Sequence, residues 1–154
     1  MLSHRSFAHL IFNLSLLTAE RLYAGEPGKS GRIAGPVAAE LIRVIDGDTL
    51  MVNAAPWPEH YIITYVRLRG IDAPELRSKC DGDRHAAKRA MDALSELVSA
   101  SPGLSLANIS GDKYYGRVLA DIQLADGRNA GQELLAWGLV EPYDGGRKNM
   151  RPCQ

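Results

Sequence analysis

The run Tyr61–Arg69 constrains the fold more than any other part of this sequence. Its alternate positions carry different kinds of side chain, and alternate residues of a strand face opposite sides of a sheet. One set is largely apolar and consists of Ile62, Thr64, Val66 and Leu68. The other set consists of Tyr61, Ile63, Tyr65, Arg67 and Arg69. The run therefore predicts a strand with one apolar face and one face that ends in two arginines.

Four further strands and two helices are predicted around this run. The strands span residues 39–45, 49–53, 104–109 and 117–124, the first helix spans 83–100, and the second runs from a cap at Asn129 to Trp137. Residues 54–60 contain two prolines and are predicted to form a loop. The order β-β-β-α-β-β-α fits an α+β fold, a five-stranded Greek-key barrel of the OB type. One helix lies between strands 3 and 4, and a short helix follows strand 5.

The composition is that of a single soluble globular domain. The chain has 154 residues, enough for one hydrophobic core, with 45% hydrophobic and 23% charged residues. Lysine plus arginine and aspartate plus glutamate both number 18, so the formal net charge is zero. Nucleic-acid-binding domains usually carry a basic excess, and aromatic residues make up only 6% of this chain. These totals argue against a broadly basic surface and against a long base-stacking platform.

The N-terminal segment differs from the rest of the chain. Residues 7–19 form a mainly apolar run that is too short to span a bilayer but suits the core of a signal peptide. We therefore predict a signal peptide over residues 1–24, a linker over 25–36 and a folded domain over 37–154. The alternative is an N-terminal helix that stays on the protein. The first interpretation places the mature protein in the periplasm or outside the cell, with no membrane span.

The two cysteines, Cys80 and Cys153, lie too far apart in sequence for a CxxC redox or zinc motif. Two interpretations remain open at this point. The cysteines are either two free thiols or one disulfide that ties the C-terminal tail to the loop after residue 75. The second interpretation requires an oxidising compartment.

Charged residues gather at three places in the sequence. These are Asp46 with Asp48, the stretch from Arg67 to Glu75, and the stretch from Asp112 to Arg117. Carboxylates are hard oxygen ligands that favour Ca²⁺ or Mg²⁺ over zinc or copper, and arginines match phosphate oxygens two at a time. Each place alone has a simpler explanation as a turn, a solvent-exposed strand end or a helix cap. Together they predict a site for phosphodiester hydrolysis.

Three sequence motifs occupy these places. They read Val-Ile-Asp-Gly-Asp-Thr at 44–49, Val-Arg-Leu-Arg-Gly-Ile-Asp-Ala-Pro-Glu at 66–75 and Asp-Lys-Tyr-Tyr-Gly-Arg at 112–117. As an ordered set they resemble the staphylococcal nuclease (thermonuclease) family, over roughly residues 39–144. The Pro-Tyr-Asp-Gly-Gly-Arg stretch at 142–147 also resembles bacterial exported members of that family. The resemblance implies an OB-fold barrel and a Ca²⁺-dependent nuclease that acts on DNA and RNA.

The resemblance also implies a role for individual residues. By the family pattern, Asp48 and Asp72 would bind Ca²⁺ through their carboxylates, and Ala73 through its backbone carbonyl. Glu75 would position or activate the attacking water. Arg67 and Arg117 would bind the scissile phosphate. Asp46 and Thr49 would support the metal ligands. Tyr115 and Tyr143 would contact a nucleotide. The family's third motif usually has one residue fewer, so Tyr114 or Tyr115 is the extra residue.

The predicted protein is thus a hydrolase whose substrates are single-stranded or frayed DNA and RNA. We expect a monomer with no stable protein partner. The alternative is a catalytically inactive OB-type barrel that binds nucleic acid or protein. Modules of that kind usually lack the carboxylates or arginines of the site. Here all five of the side chains that would act in catalysis are present, which favours the enzyme. They are Asp48, Asp72, Glu75, Arg67 and Arg117.

Overall fold

The computed structural model describes residues 31–146 and Cys153. Its strands are β1 (Val37–Asp46), β2 (Thr49–Trp57), β3 (His60–Leu68), β4 (Ile71–Asp72), β5 (Leu104–Gly111), β6 (Arg117–Leu124) and β7 (Glu141–Pro142). Its helices are α1 (Asp81–Ser99) and α2 (Ala130–Ala136). The predicted signal peptide over residues 1–24 lies outside the described residues. Residues 31–36 of the predicted linker are described, and Ile33 pairs with Ile109 of β5 through two backbone hydrogen bonds of 2.8 Å.

Five strands close into a barrel in the order β1-β2-β3-β6-β5, with β5 paired back to β1. All neighbours are antiparallel except β3 and β6, which run parallel. Helix α1 connects the third and fourth barrel strands, and α2 follows the fifth. This arrangement confirms the predicted OB-type α+β barrel. The pair β4 and β7 forms a separate ladder that is too short to predict from side-chain alternation.

The inward side chains of the barrel strands form the core. The fully buried ones include Leu50, Val52, Val66, Leu106 and Ile122, and burial of each such side chain contributes roughly 1.5–3 kcal/mol. Helix α1 lies against β1 and buries Ala87, Ala90, Leu94, Leu97 and Val98. In the described part of the chain, neither helix is long and apolar enough to cross a membrane.

The hairpin formed by β2 and β3 is longer than predicted. The predicted loop over residues 54–60 is wrong, since β2 continues to Trp57 and β3 begins at His60. Pro56 fits within the strand because the pairing register shifts between Ala54 and Trp57, and prolines in sheets occur at such bulges. The first half of β3 consequently extends beyond the barrel core, with its side chains mostly exposed.

A disulfide joins Cys80 to Cys153, with the two Cα atoms 5.4 Å apart. Cys80 is the residue immediately before α1. The bond therefore holds Cys153 at the start of this helix, a few residues beyond the loop that carries Ala73 and Glu75.

Candidate active site

The turn between β1 and β2 packs tightly against two other parts of the fold. Asp46 and Asp48 flank Gly47, and Oδ1 of Asp46 accepts a hydrogen bond from the backbone N–H of Asp48 at 3.0 Å. A Cβ on Gly47 would lie only 2.8 Å from the Cβ atoms of Ala73 and Ala90. Because only glycine fits this close approach, the turn, the loop after β4 and helix α1 meet at one point.

Asp48 is only 3% exposed, and protein groups bond to both of its carboxylate oxygens. Oδ1 accepts hydrogen bonds from Nη1 of Arg67 at 2.6 Å and from Oγ1 of Thr49 at 2.9 Å. Oδ2 accepts one from the backbone N–H of Ala73 at 2.8 Å. These bonds fix the orientation of a carboxylate that is largely removed from solvent.

Arg67 joins Asp48 to Asp72. Its Nη1 donates to Asp48, while its Nη2 donates to Oδ1 of Asp72 at 2.7 Å and to the carbonyl of Ile71 at 3.4 Å. After β3, Gly70 adopts a φ of 79° and turns the chain into β4, which brings Asp72 back towards Arg67. Because one planar guanidinium spans both carboxylates, the two acidic groups lie close together on either side of it.

Burial makes the Asp48 carboxyl difficult to ionise. Desolvation raises its pKa to about 6, against the lowering effects of the Arg67 charge and the Ala73 N–H. Burial also lowers the pKa of Arg67, but the neighbouring charges of Asp48 and Asp72 raise it overall. The charges of Asp46, Asp48 and Asp72 all act on Arg67, and a cation close to these carboxylates would be attracted by the same charges.

Arg67 also faces a cleft of about 470 Å³. Its charged and tyrosine lining includes Asp46, Arg67, Glu75, Asp112, Arg117 and Tyr143. A second hollow of about 280 Å³ is lined by Asp48 and Ala73 and shares Asp46, Arg67 and Glu75 with the first. The buried carboxylate therefore adjoins the same continuous surface as the two arginines, and Glu75 lies where the two hollows meet.

Arg117, at the start of β6, is oriented by two neighbours. Its Nε donates to Asp112, and its guanidinium lies 4.6 Å from the centre of the Tyr114 ring, a cation–π contact. The ion pair with Asp112 is mostly buried. These contacts hold the guanidinium in the cleft without help from a ligand.

The structure brings Tyr114, and not Tyr115, into the cleft. Tyr114 lines the cleft and packs on Arg117, whereas Tyr115 is fully exposed. The substrate contact predicted for Tyr115 stays a prediction, and Tyr114 is the tyrosine of this pair that lines the cleft. Tyr143 also lines the cleft, and its backbone N–H donates to the Gly70 carbonyl at 2.9 Å.

Arg69 lines the cleft as well, although no motif role points to it. Its Nη2 donates to the carbonyls of Asn108 and Leu119 at 2.6 and 2.9 Å and to Oγ of Ser110 at 2.8 Å. Its Nε is buried without a hydrogen-bond partner in the described residues. The contacts join the end of β3 to β5 and β6. The signal for this position in the sequence is the alternation that puts Arg69 on the same strand face as Arg67.

Asp48, Asp72 and the backbone carbonyl of Ala73 are the oxygen donors predicted for a bound cation. Within residues 31–146 and Cys153, no three His, Cys, Asp or Glu side chains are grouped as a metal cluster. The donor set is two carboxylates bridged by one guanidinium, one of them desolvated, with the Ile71 carbonyl 3.4 Å from the same guanidinium. Such oxygens fit Ca²⁺, which takes roughly six to eight oxygen ligands including carbonyls and waters.

Comparisons with known proteins bear directly on this site. The family model described as staphylococcal nuclease homologue matches residues 65–151, more than half of the 154-residue chain. The match includes Arg67, Asp72, Glu75 and Arg117. A search of curated proteins found no significant match. The chain belongs to the family of staphylococcal nuclease homologues.

Proposed function

We propose that the protein is a Ca²⁺-dependent nuclease that hydrolyses phosphodiester bonds in DNA and RNA. The observation that carries the proposal is that Arg67, Arg117 and Glu75 line one cleft beside the bridged pair of Asp48 and Asp72. Hydrolysis of a phosphodiester by water needs a group that activates the water and positive charge that stabilises the phosphate. A carboxylate supplies the first, and two arginines with a cation supply the second. Membership of a nuclease family supports the same class of reaction.

Asp48, Asp72 and the backbone carbonyl of Ala73 would hold the cation. A bound Ca²⁺ would supply polarisation of a phosphoryl oxygen and positive charge where the substrate lies. Asp46 and Thr49 keep Asp48 oriented through hydrogen bonds of 3.0 and 2.9 Å. Their proposed contribution is to hold the ligand in place, not to contact the substrate.

In this proposal Glu75 orients the attacking water and accepts its proton, while the bond from phosphorus to one sugar oxygen breaks and that oxygen leaves with a proton from solvent. Its place between the two hollows supports the assignment. In this proposal Arg117 donates paired hydrogen bonds to the phosphate through its two Nη atoms, and Arg67 donates through N–H groups that Asp48, Asp72 and Ile71 do not occupy. Both arginines stabilise the charge that grows as phosphorus gains a fifth oxygen. Because Asp112 and Tyr114 already orient Arg117, little reorganisation is needed on its side of the cleft.

The proposed substrates are single-stranded or frayed DNA and RNA. The formal net charge is zero, so affinity for long duplexes is expected to be modest and to depend on the cation and the cleft. We also propose export to the periplasm or beyond, since the disulfide is favoured in an oxidising compartment. A monomer without a stable protein partner is sufficient for this chemistry.

The direct test is to incubate the purified protein with denatured DNA and with RNA, in Ca²⁺ and in excess EGTA. Cleavage of both substrates is expected in Ca²⁺ and is lost in EGTA. A matched Asp48→Asn protein should be inactive in both buffers while it remains folded. The absence of Ca²⁺-dependent cleavage of either substrate would rule out the enzyme and favour a binding module of the same fold.

A further inference from the structure

The outer face of β3 carries three large side chains that are exposed to solvent. Tyr61 is 67% exposed, Ile63 is 66% exposed and Tyr65 is 37% exposed. Val66, the residue after Tyr65, is buried, which places Tyr65 on the outer face, and strand alternation places Ile63 and Tyr61 on the same side although Ile62 between them is also 48% exposed. An exposed run of large apolar and aromatic groups of this kind marks an interaction surface.

This face is continuous with the proposed catalytic arginines. Arg67 follows Tyr65 on the same side of β3, because alternate residues share a face. Tyr65 is also the register partner of Arg117 across the parallel pair of β3 and β6. The side chain of Thr64 adds a hydrogen bond of 3.4 Å to the carbonyl of Gly116, next to Arg117. The exposed row therefore begins at the phosphate-binding end of the cleft and runs away from it.

We propose that Tyr61, Ile63 and Tyr65 form a short platform for the bases of a single-stranded nucleic acid whose scissile phosphate lies at Arg67 and Arg117. This inference rests on the proposed nuclease function. Alternate strand residues are separated by roughly 6.6 Å, so the platform extends roughly 20 Å from Arg67 to Tyr61. The platform would therefore contact nucleotides well beyond those at the cleavage site.

The aromatic content of the chain is compatible with a platform of this size. Aromatic residues make up 6% of the sequence, which excludes a long platform but not a row of three side chains. Tyr61 and Tyr65 lie on the outer face of β3, while Tyr114 and Tyr143 line the adjoining cleft. Aromatic rings accept any base by stacking, and an aliphatic side chain between them provides additional apolar contact. The platform is thus expected to recognise single strands without strong sequence preference.

The test measures binding separately from cleavage. A fluorescently labelled thymidine oligonucleotide of about 12 nucleotides, within the roughly 4–16 that one OB fold covers, is titrated with full-length protein in EGTA at low salt. The double variant Tyr61→Ala/Tyr65→Ala should bind roughly 10- to 100-fold more weakly by fluorescence anisotropy. The double variant Tyr61→Phe/Tyr65→Phe should bind like the wild type, because phenylalanine retains the stacking face.

Trp137→Ala is the matched control, since Trp137 is a 49%-exposed aromatic residue at the end of α2 and outside the platform. Its affinity for the oligonucleotide should equal that of the wild type.

Cleavage in Ca²⁺ supplies the second measurement. The loss of kcat/KM in the alanine double variant should be larger for the oligonucleotide than for a dinucleotide, which is too short to reach Tyr61.

The outcomes separate the platform from the nuclease proposal. If the wild type cleaves but the alanine double variant binds the oligonucleotide as tightly as the wild type, the platform is wrong and the nuclease stands. If sedimentation shows wild-type dimers that the double variant loses, with unchanged oligonucleotide binding, the face is a self-association surface and the platform is again wrong. If the wild type cleaves nothing in Ca²⁺, the nuclease proposal itself fails. If the double variant is unstable, the single variant Tyr61→Ala, at the most exposed position, replaces it in the binding measurement.

Discussion

Nη1 of Arg67 lies 2.6 Å from Oδ1 of Asp48, in a contact that solvent barely reaches. The two side chains are 15% and 4% exposed, so their interaction is poorly screened. The same guanidinium also bonds Asp72. Arg67 therefore pairs with both proposed cation ligands and also faces the proposed phosphate site. Stability, cation binding and catalysis are expected to depend on one another at this residue.

Replacing Arg67 should destabilise the metal-free protein. Arg67→Gln leaves the Asp48 charge buried without its main partner, and breaking a buried ion pair in this way costs about 3 kcal/mol. Urea unfolding in EGTA measures the loss, and added Ca²⁺ should restore more stability to the variant than it adds to the wild type. Arg128→Gln, which removes an exposed ion pair with Asp126, is the control and should unfold like the wild type. Equal stability of Arg67→Gln and wild type in EGTA would contradict the account.

Asp48 should make the metal-free protein less stable as the pH rises from about 4 to about 6. Its pKa in the folded protein is about 6, above the ordinary value of 3.8, so the folded state holds this proton more tightly than the unfolded chain. The contribution is present below pH 4 and is lost as Asp48 ionises, with a total of about 3 kcal/mol. The unfolding free energy in EGTA should show this fall in the wild type but not in Asp48→Asn. Parallel curves for the two proteins would contradict the raised pKa.

Tyr114 and Tyr115 should respond differently to substitution. Tyr114→Ala removes the ring that packs on Arg117, and the loss of that cation–π contact should lower kcat/KM roughly tenfold. Tyr115→Ala removes a side chain that lies entirely in solvent, and its activity should match the wild type. Cleavage of denatured DNA by the two variants measures the difference. A larger loss of kcat/KM in Tyr115→Ala than in Tyr114→Ala would place the substrate contact at Tyr115 and contradict this prediction.

The disulfide should stabilise the fold without taking part in the chemistry. Cys80 and Cys153 are 73 residues apart, and cross-linking a loop of that length is worth roughly 4 kcal/mol in the chain-entropy model. The paired variant Cys80→Ser/Cys153→Ser should unfold at lower urea concentration yet cleave DNA at low temperature. Alkylation and mass spectrometry of the wild type check that the bond is formed. Two alkylated thiols after expression in an oxidising compartment would exclude the disulfide.

Much of the barrel is predictable because its signals are local. The alternation in residues 61–69 indicates a strand, and apolar residues at helical spacing indicate α1. The loop predicted over residues 54–60 is wrong because two prolines are a local signal for a break. A bulge in the pairing of β2 and β3 accommodates Pro56, and this bulge depends on the partner strand.

The arrangement of the site is less predictable because it depends on pairing between distant segments. Tyr65 and Arg117 become register partners only because β3 and β6 run parallel in the closed barrel. The same pairing allows Arg69 to bond carbonyls on β5 and β6. Motif spacing could not decide between Tyr114 and Tyr115, since the conformation of the loop before β6 determines which ring reaches Arg117.

In the proposed mechanism, Glu75 activates water in a cleft where two arginines bind phosphate. Single-turnover cleavage of a labelled oligonucleotide in Ca²⁺ by wild type and Glu75→Gln tests it most directly, with anisotropy as the measure of binding. Glu75→Gln should remain folded and bind the oligonucleotide normally, but its rate should fall by roughly a hundredfold or more, since general-base catalysis contributes about 10²–10⁴. A Glu75→Gln protein that cleaves at the wild-type rate would contradict the account.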